Sequence, residues 1–153
     1  MKKNTLIIVA LIFVHGSLFS QLPKKPTIDE IRAYNQTNLL KVNIGDNRLQ
    51  VIEAMGGIKT YNYYVYDWYN PGFNKNKRTG SISNPYSRDL KMGKDSSSIE
   101  ILWYYTDIKR GDGAIRKEEL TPIILEKNAV VGLGWGFYED YAKRKEFNIN
   151  INN

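Results

Sequence analysis

Residues 99–137 decide the fold, because they contain two apolar segments with the composition of β-strands. The segments are IEILWYYT (99–106) and TPIILEKNAVVGLGWGF (121–137). β-branched and aromatic residues dominate both segments, and turn residues separate the runs, which predicts strands. Glu126–Ala129 reads as a hairpin turn within the second segment, where Asn128 tolerates a positive φ. These segments predict the centre of an antiparallel sheet.

The final predicted strand, which runs to Phe137, has two contrasting faces. Side chains alternate between faces along a strand, so the apolar residues fall on one face: Val131, Leu133, Trp135 and Phe137. Glycines fall on the other face: Gly132, Gly134 and Gly136. A glycine face lets another element approach the backbone closely. It is either a docking groove or the bed of a helix packed within the fold, and the second is the commoner use of strand glycines.

The chain start has the pattern of a secretory signal peptide. A basic start, MKKN (1–4), precedes an apolar run over 5–14 and a small residue, Ser20, before Gln21. The apolar run has about ten residues, whereas a membrane-spanning helix needs about 20. An uncleaved membrane anchor is the alternative. No cysteine follows the run, which excludes a lipoprotein anchor. We predict a signal over 1–20, a linker over 21–26, one domain over 27–141 and a polar tail over 142–153.

The residue types present exclude several classes of chemistry. The chain has no cysteine, and its one histidine, His15, lies in the predicted signal. The mature chain therefore lacks the thiol and imidazole groups that common catalytic triads and zinc sites use. Removal of the signal lowers the formal charge from +6 to +4. That charge is not gathered into a basic stripe, so nucleic-acid binding is not expected.

Two helices are predicted before the sheet. Thr27 and Glu30 form a capping-box pattern for a helix from Ile28 to about Leu40. A shorter helix follows, with Asp46 as its predicted N-cap and Gly56-Gly57 suited to its left-handed end. The apolar stripe of this shorter helix consists of Leu49, Ile52 and Met55, with Val51 beside them. We expect that stripe to cover Trp135 in the core.

Residues 60–69, TYNYYVYDWY, read as a tyrosine-rich strand. Tyr64, Tyr66 and Trp68 share one face and are the candidate partner-binding residues, because Tyr and Trp are favoured at interfaces. They also suit stacking on sugar rings. The alternative is a half-buried strand whose hydroxyls reach water. Residues 70–98 read as a long loop with a basic cluster, which is either a contact for an acidic surface or simply solvated.

Two stretches resemble the BamE-like (SmpA/OmlA) envelope domain. One is IGDNRLQVIEAMG (44–56), which is similar to that family's glycine-led helix, and the other is LTPIILEKNAVVGLGW (120–135), which is similar to its hairpin. The lipid-bearing cysteine is absent, no proline follows Gly57, and the 70–98 segment is longer than the family core needs. The resemblance implies an α+β two-layer fold, with two N-terminal helices packed on an antiparallel sheet of three to four strands. It also implies a non-catalytic envelope role.

The expected function is therefore an exported, non-enzymatic interaction module of the cell envelope. It would be periplasmic, peripherally associated with the outer membrane, or secreted. Its partner is expected to be an envelope protein or a glycan, with no cofactor, no metal, no nucleic acid and no transmembrane segment after signal removal. A glycan-binding module that uses the aromatic strand is the alternative.

A carboxylate-based hydrolase is a third hypothesis. Its carboxylates would come from Glu100, Asp107, Glu118, Glu119 and Glu126, but no spacing singles out a pair. Asp107 and Asp112 lie near glycines, yet the ligand pattern of an EF-hand calcium loop is missing.

Overall fold

A computed structural model describes residue 22 and residues 25–66, 77–110 and 114–147. This part of the chain folds as α+β, with three α-helices and two antiparallel sheets. The helices are α1 (Ile28–Leu39), α2 (Arg48–Ala54) and α3 (Trp135–Lys145). The strands are β1 (Lys59–Tyr66), β2 (Lys77–Asn84), β3 (Ser87–Met92), β4 (Ser98–Tyr105), β5 (Leu120–Glu126) and β6 (Ala129–Leu133), and a 3-10 turn spans Lys117–Glu119.

The predicted capping box of α1 is confirmed. Thr27 Oγ1 accepts a hydrogen bond from the backbone N–H of Glu30 at 3.2 Å, and a Glu30 carboxylate oxygen accepts one from the backbone N–H of Thr27 at 2.7 Å. Two donors that a helix start leaves unpaired are thereby satisfied. The residue types at these two positions therefore predict where the helix begins.

The N-cap of α2 is Asn47 rather than the predicted Asp46. Asn47 Oδ1 accepts from the backbone N–H of Gln50 at 3.0 Å, and Gln50 Oε1 accepts from the backbone N–H of Asn47 at 2.8 Å. The Asp46 carboxylate instead accepts from the backbone N–H of Asn43 at 2.7 Å. Gly56 and Gly57 adopt φ of 90° and 86°, which confirms the left-handed end of the helix.

The larger sheet is an antiparallel meander in the order β3-β4-β5-β6, and β1 pairs with β2 in a separate two-stranded sheet. β4, β5 and β6 confirm the strands predicted from the 99–137 segment up to Leu133. The predicted hairpin turn is also confirmed, since Lys127 and Asn128 have φ of 50° and 66°.

The prediction that residues 70–98 form a loop is wrong from Lys77 onward, because all of β2 and all of β3 lie there. Of the side chains in these strands that the structure describes, only those of Ile82 and Asn84 are buried. Backbone pairing with β1 and β4 therefore holds them, and they lack the apolar alternation that marks a strand in sequence.

Both faces of the larger sheet are covered. One face packs on α3, Ile31 of α1 and the β1–β2 sheet around the buried side chains of Ile101, Trp103 and Ile124. The other face carries Leu102, Tyr104, Ile123 and Leu125 and packs on α2 through Val51, Ile52 and Met55. The core thus consists of two clusters, one on each side of the sheet.

The predicted strand beyond Leu133 is wrong, because Gly134 (φ 85°) turns the chain and α3 begins at Trp135. The fold therefore has a third helix at its C-terminal end in addition to the two N-terminal helices. Phe137 lies on this helix with its ring over Gly132, where a Cβ atom would come within 2.3 Å of the ring. Of the two interpretations of the glycine face, the bed for a packed helix is the one observed, and it involves Gly132 alone.

Trp135 packs against the α3 side of the sheet and not under α2. Its ring lies 5.3 Å from the Trp103 ring and 5.8 Å from the Tyr138 ring, measured between centroids. The expected cover by Leu49, Ile52 and Met55 is wrong: Ile52 and Met55 cover the opposite face, and Leu49 is 63 % exposed.

Among the described residues no helix is long and apolar enough to cross a membrane.

Candidate functional site

The three predicted partner-binding residues lie in or after β1. Tyr64 is half-buried: its backbone N–H donates to the Pro26 carbonyl at 3.2 Å, and the Lys25 ammonium lies 5.9 Å from its ring. Tyr66 ends β1, but its side chain lies outside the described part of the structure, as does Trp68. The stacking surface formed by these residues stays a prediction.

The other face of β1 belongs to the core. The Tyr63 side chain is 8 % exposed, and its ring occupies the space where a Cβ atom on Gly80 of β2 would lie. Burial raises the pKa of Tyr63. Burial is also the larger cause of the raised pKa of Tyr61, and the nearby Tyr34 hydroxyl is the smaller cause. Both tyrosines are therefore neutral, partly desolvated phenols that contribute apolar contact area.

Exposed aliphatic side chains lie on the α2 side of the sheet, and we call three of them, Leu49, Leu90 and Met92, the aliphatic patch. Leu49 on α2 is 63 % exposed, and Leu90 and Met92 on β3 are 62 % and 65 % exposed. Leu90 lies directly opposite Glu100 of β4, so their side chains share a face. A Glu100 carboxylate oxygen accepts from Arg48 Nε at 2.8 Å and from Arg88 Nε at 2.5 Å. This ionic link connects the start of α2 to β3 beside the patch.

Three more aliphatic side chains are exposed in the segments that flank α2. They are Leu40 at 86 %, Ile44 at 67 % and Ile58 at 68 %. Single exposed apolar residues are ordinary on protein surfaces. Four of them lie between residues 40 and 58, and two more lie on β3, so six of the seven large apolar side chains exposed in the described ranges come from these two segments.

A cleft of about 370 Å³ lies beside Trp135 and brings together two of the carboxylates considered for hydrolysis, Asp107 and Glu118, with Glu139. Trp135 Nε1 donates to the Leu120 carbonyl at 2.7 Å, which fixes the ring at the cleft wall. Asp107 forms an ion pair with Lys109, and the hydrogen bond from that ammonium holds the pKa of Asp107 below its usual range. A general acid needs a raised pKa, so this carboxylate is not tuned for that role.

The other three carboxylates have structural partners. Glu100 lies between two arginines, as described above. Glu119 is 1 % exposed and accepts from the backbone N–H groups of Lys109, Arg110 and Arg116 at 2.8, 3.2 and 3.0 Å. Its carboxylate therefore fixes the segment between β4 and β5.

Glu126 belongs to an ionic cluster at the end of α3. Lys145 Nζ donates to Glu126 Oε1 and to Asp95 Oδ2, both at 2.7 Å, and the Tyr141 hydroxyl donates to Glu126 Oε2. The hydrogen bond from Lys145 is the main cause that lowers the pKa of Asp95 and of Glu126. The cluster joins α3 to β5 and to the β3–β4 turn.

A second pocket, of about 390 Å³, lies between α1, the end of α2 and the start of β1. We call it the Tyr34–Tyr61 pocket. Gly56 lies against Tyr34: a Cβ atom there would come within 2.2 Å of the Tyr34 hydroxyl. Asn38, which lines the pocket, is 3 % exposed, and its Oδ1 accepts from Lys41 Nζ at 2.7 Å.

The Nδ2 of Asn38 has no hydrogen-bond partner in the structure. Leaving a buried donor unpaired costs roughly 1–3 kcal/mol. Sequence reasoning missed this pocket, because its walls come from residues scattered between 22 and 61.

In the part of the chain that the structure describes, no three His, Cys, Asp or Glu side chains are grouped closely enough to hold a metal ion.

Comparison with known proteins gives one informative result. Neither the curated proteins nor the solved structures yield a match to this chain. A family model described as "Protein of unknown function (DUF3192)" matches residues 10–140, which is most of the chain. The chain therefore belongs to the DUF3192 family.

Proposed function

We propose that this protein is an exported, non-enzymatic interaction module of the cell envelope, similar in role to BamE-like domains. The observation that carries the proposal is the aliphatic patch of Leu49, Leu90 and Met92. Solvent-exposed apolar side chains beside charged residues are typical of surfaces that bind other proteins. Arg48 and Arg88 supply the charged neighbours here.

The position of the patch on β3 supports a protein partner. β3 is an end strand of the four-stranded sheet, and no described strand pairs with its outer edge. An extended segment of a partner can add to such an edge through backbone hydrogen bonds, while alternate side chains supply specificity. Leu90 and Met92 project from this strand on one face, where they would contact the added segment.

Site-specific photo-crosslinking in cells that export the full chain tests this proposal. A crosslinkable residue is placed at Leu49 or at Leu90, and a control is placed at Lys143, which is exposed on α3 on the other side of the sheet. We expect the first two positions to capture the same protein and Lys143 to capture none. Equal capture at all three positions, or none at the patch, would contradict the proposal.

Export is tested separately by fractionation and by the intact mass of the purified protein. Cleavage of the predicted signal gives a chain that begins at Gln21 and is recovered from the envelope or the medium. A chain that keeps residues 1–20 in the cell interior would contradict the export part of the proposal.

Tyr64, Tyr66 and Trp68 remain our candidates for a second contact surface. Crosslinkers at Tyr64 and Trp68 extend the same experiment to these positions. Capture of the patch partner at both sites would unite the two surfaces, whereas no capture would remove this face from the proposal.

Glycan binding is the second candidate function, and the Tyr34–Tyr61 pocket favours it. Tyr61 comes from the tyrosine-rich strand, and tyrosine rings with a few polar groups in a concave site are typical of sugar and other small-molecule sites. Titration of envelope glycans, followed by intrinsic tryptophan fluorescence and by calorimetry, tests it. No response to any glycan in either measurement would count against this function.

A further inference from the structure

We propose that the Tyr34–Tyr61 pocket binds a small ligand that carries a carboxylate, either an acidic sugar or the C-terminus of a short peptide. If the ligand is a sugar, the inference rests on the glycan-binding function proposed above, and it adds that the sugar is acidic. It is independent of protein docking at the aliphatic patch. Three features carry it: the shape of the pocket, an unpaired amide donor and the charges of the walls.

The shape suits a compact molecule. The volume of about 390 Å³ lies within the range of small-molecule sites. Tyr34 from α1 and Tyr61 from β1 supply rings, and Ala54 and Leu22 supply apolar contact. Gly56 allows Tyr34 its position, because any side chain there would displace the ring, and the φ of 90° also disfavours other residues.

The donor is Asn38 Nδ2. Buried side-chain amides are nearly always hydrogen-bonded, so an unpaired one indicates an absent acceptor. Exchange of the amide oxygen and nitrogen would not pair this donor, because it would place Nδ2 against Lys41 Nζ, which now donates to Oδ1. Asn38 lines the pocket, and the acceptor that we propose for its buried, unpaired Nδ2 is a ligand oxygen seated against this wall.

The charges favour an anion. Lys41 and Lys59 line the pocket, against a single carboxylate among the described lining residues, Glu53. Lys59 forms no ion pair with any residue the structure describes, so its ammonium is available to a carboxylate. Glu53 can accept from a hydroxyl or N–H of the same ligand, which matches a sugar or a peptide better than a simple inorganic anion.

The test titrates the purified mature chain with five probes. They are glucuronate, glucose, acetyl-alanyl-alanine, its C-terminal amide, and inorganic phosphate. Binding is measured by calorimetry and by the NMR signal of the Asn38 side-chain amide, which moves when Nδ2 gains an acceptor. We expect saturable binding of glucuronate or of the acetylated dipeptide, with the neutral counterpart at least about tenfold weaker, as expected for the loss of one charge-assisted hydrogen bond.

Two variants localise the effect. Lys59→Gln removes one of the two pocket ammonium groups, at an exposed position, and should weaken carboxylate binding at least about tenfold. Lys91→Gln removes an ammonium from β3 that does not line the pocket, and it should leave binding unchanged. Equal losses in both variants would show general attraction to a basic protein and overturn the proposal.

The probes separate the ways in which the proposal fails. Equal binding of glucuronate and glucose overturns the carboxylate assignment but keeps glycan binding. Binding of the dipeptide alone supports the carboxylate site and removes the glycan function from this pocket. Phosphate binding as tight as that of the carboxylates, or no binding of any probe, overturns the proposal.

Discussion

At the residue scale, Glu119 is the one charged side chain buried within the described ranges. Its carboxylate accepts from three backbone N–H groups, and all three lose their acceptor in Glu119→Ala. Because unpaired buried donors and lost hydrogen bonds to a charge each cost about 1–3 kcal/mol, we expect this variant to lower the free energy of unfolding by at least about 3 kcal/mol. Urea denaturation measures the change.

The neighbouring Glu118 is the matched control, since its side chain is exposed. Glu118→Ala should change the free energy of unfolding by less than about 0.5 kcal/mol. Similar losses in both variants would mean that Glu119 contributes charge alone and that its hydrogen bonds add little.

Gly132 provides the second residue-scale prediction. A methyl group there would meet the Phe137 ring at 2.3 Å, and overpacking of this kind costs about 1–3 kcal/mol. Gly132→Ala should therefore destabilise the parent by that amount and be nearly neutral when Phe137 is already Ala. A double-mutant cycle from urea denaturation measures the coupling.

Gly136→Ala is the control for Gly132→Ala, because no atom lies within 4 Å of the added Cβ and the residue is helical. It should stabilise the protein by about 0.5–1 kcal/mol through helix propensity. A Gly132→Ala cost that persists without Phe137 would show that the backbone, and not the ring, requires glycine.

The capping residues show how far sequence reasoning reaches at this scale. Thr27 and Glu30 were predictable, because the spacing of a capping box is fixed. Asp46 and Asn47 are both good N-caps, and sequence alone does not choose between adjacent candidates. The choice depends on Asn43, whose backbone N–H engages Asp46 and leaves Asn47 to cap α2.

At the scale of elements, the ionic cluster of Lys145 predicts how acid affects the docking of α3. The pKa values of Asp95 and Glu126 are lowered in the folded state. Their contribution to stability is therefore present above the unfolded values near 4 and is lost as pH falls further. The urea midpoint of the parent should fall more between pH 5 and pH 3 than that of Lys145→Met.

Lys143→Met is the control for that comparison. Lys143 lies on the same helix, but its Nζ is 3.6 Å from Asp140 in an exposed pair, and such pairs contribute little. Its acid sensitivity should match the parent. If Lys145→Met also matches the parent, the cluster does not govern the acid response.

α3 also shows why one predicted element was wrong. The run from Ala129 through Phe137 has the composition of a strand, and its burial alternates along β6. The prediction that Val131 and Leu133 share one face is wrong, because the register of the β5–β6 pair shifts between Ile124 and Leu125 and the two side chains pack in opposite clusters. From Trp135 onward the buried or packed positions recur at helical spacing, at Trp135, Tyr138, Tyr141 and Ala142. The helical period was visible in the sequence, but the preceding apolar alternation and the glycines masked the change at Gly134.

At the scale of the whole molecule, the C-terminal boundary of the domain is open to test. The sequence places it after Tyr141, whereas α3 continues to Lys145 and Phe147 packs 6.0 Å from the Tyr138 ring. A chain that ends at Tyr141 should lose at least about 3 kcal/mol, the cost of deleting a packed aromatic side chain. Thermal and urea unfolding measure it.

Deletion of residues 148–153 is the comparison for that truncation. This segment is polar in sequence, and its removal should change stability by less than about 0.5 kcal/mol. Equal stability of both truncated chains would place the boundary at Tyr141.

The candidate sites could be predicted only in part from the sequence. The tyrosine-rich strand was visible because its residues are consecutive. The patch and the Tyr34–Tyr61 pocket were not visible, because their residues are far apart in the sequence. Leu49 is linked to the neighbourhood of Leu90 through its neighbour Arg48, which pairs with Glu100 opposite Leu90. Residues that tertiary packing brings together leave no local pattern.

The long-range attachment of α1 bears on the order in which the elements form during folding. Its Asn35 and Gln36 side chains donate to the carbonyls of Tyr105 and Thr106, seventy residues further along the chain. The strands from β3 to β6, by contrast, pair with their immediate successors. Since closing a longer loop costs more entropy, contacts between near neighbours form sooner. We therefore expect the meander to assemble first during refolding and α1 to arrive last. In pulsed hydrogen exchange the amides of β4 and β5 should gain protection before the α1 amides do, and the reverse order would contradict this sequence of events.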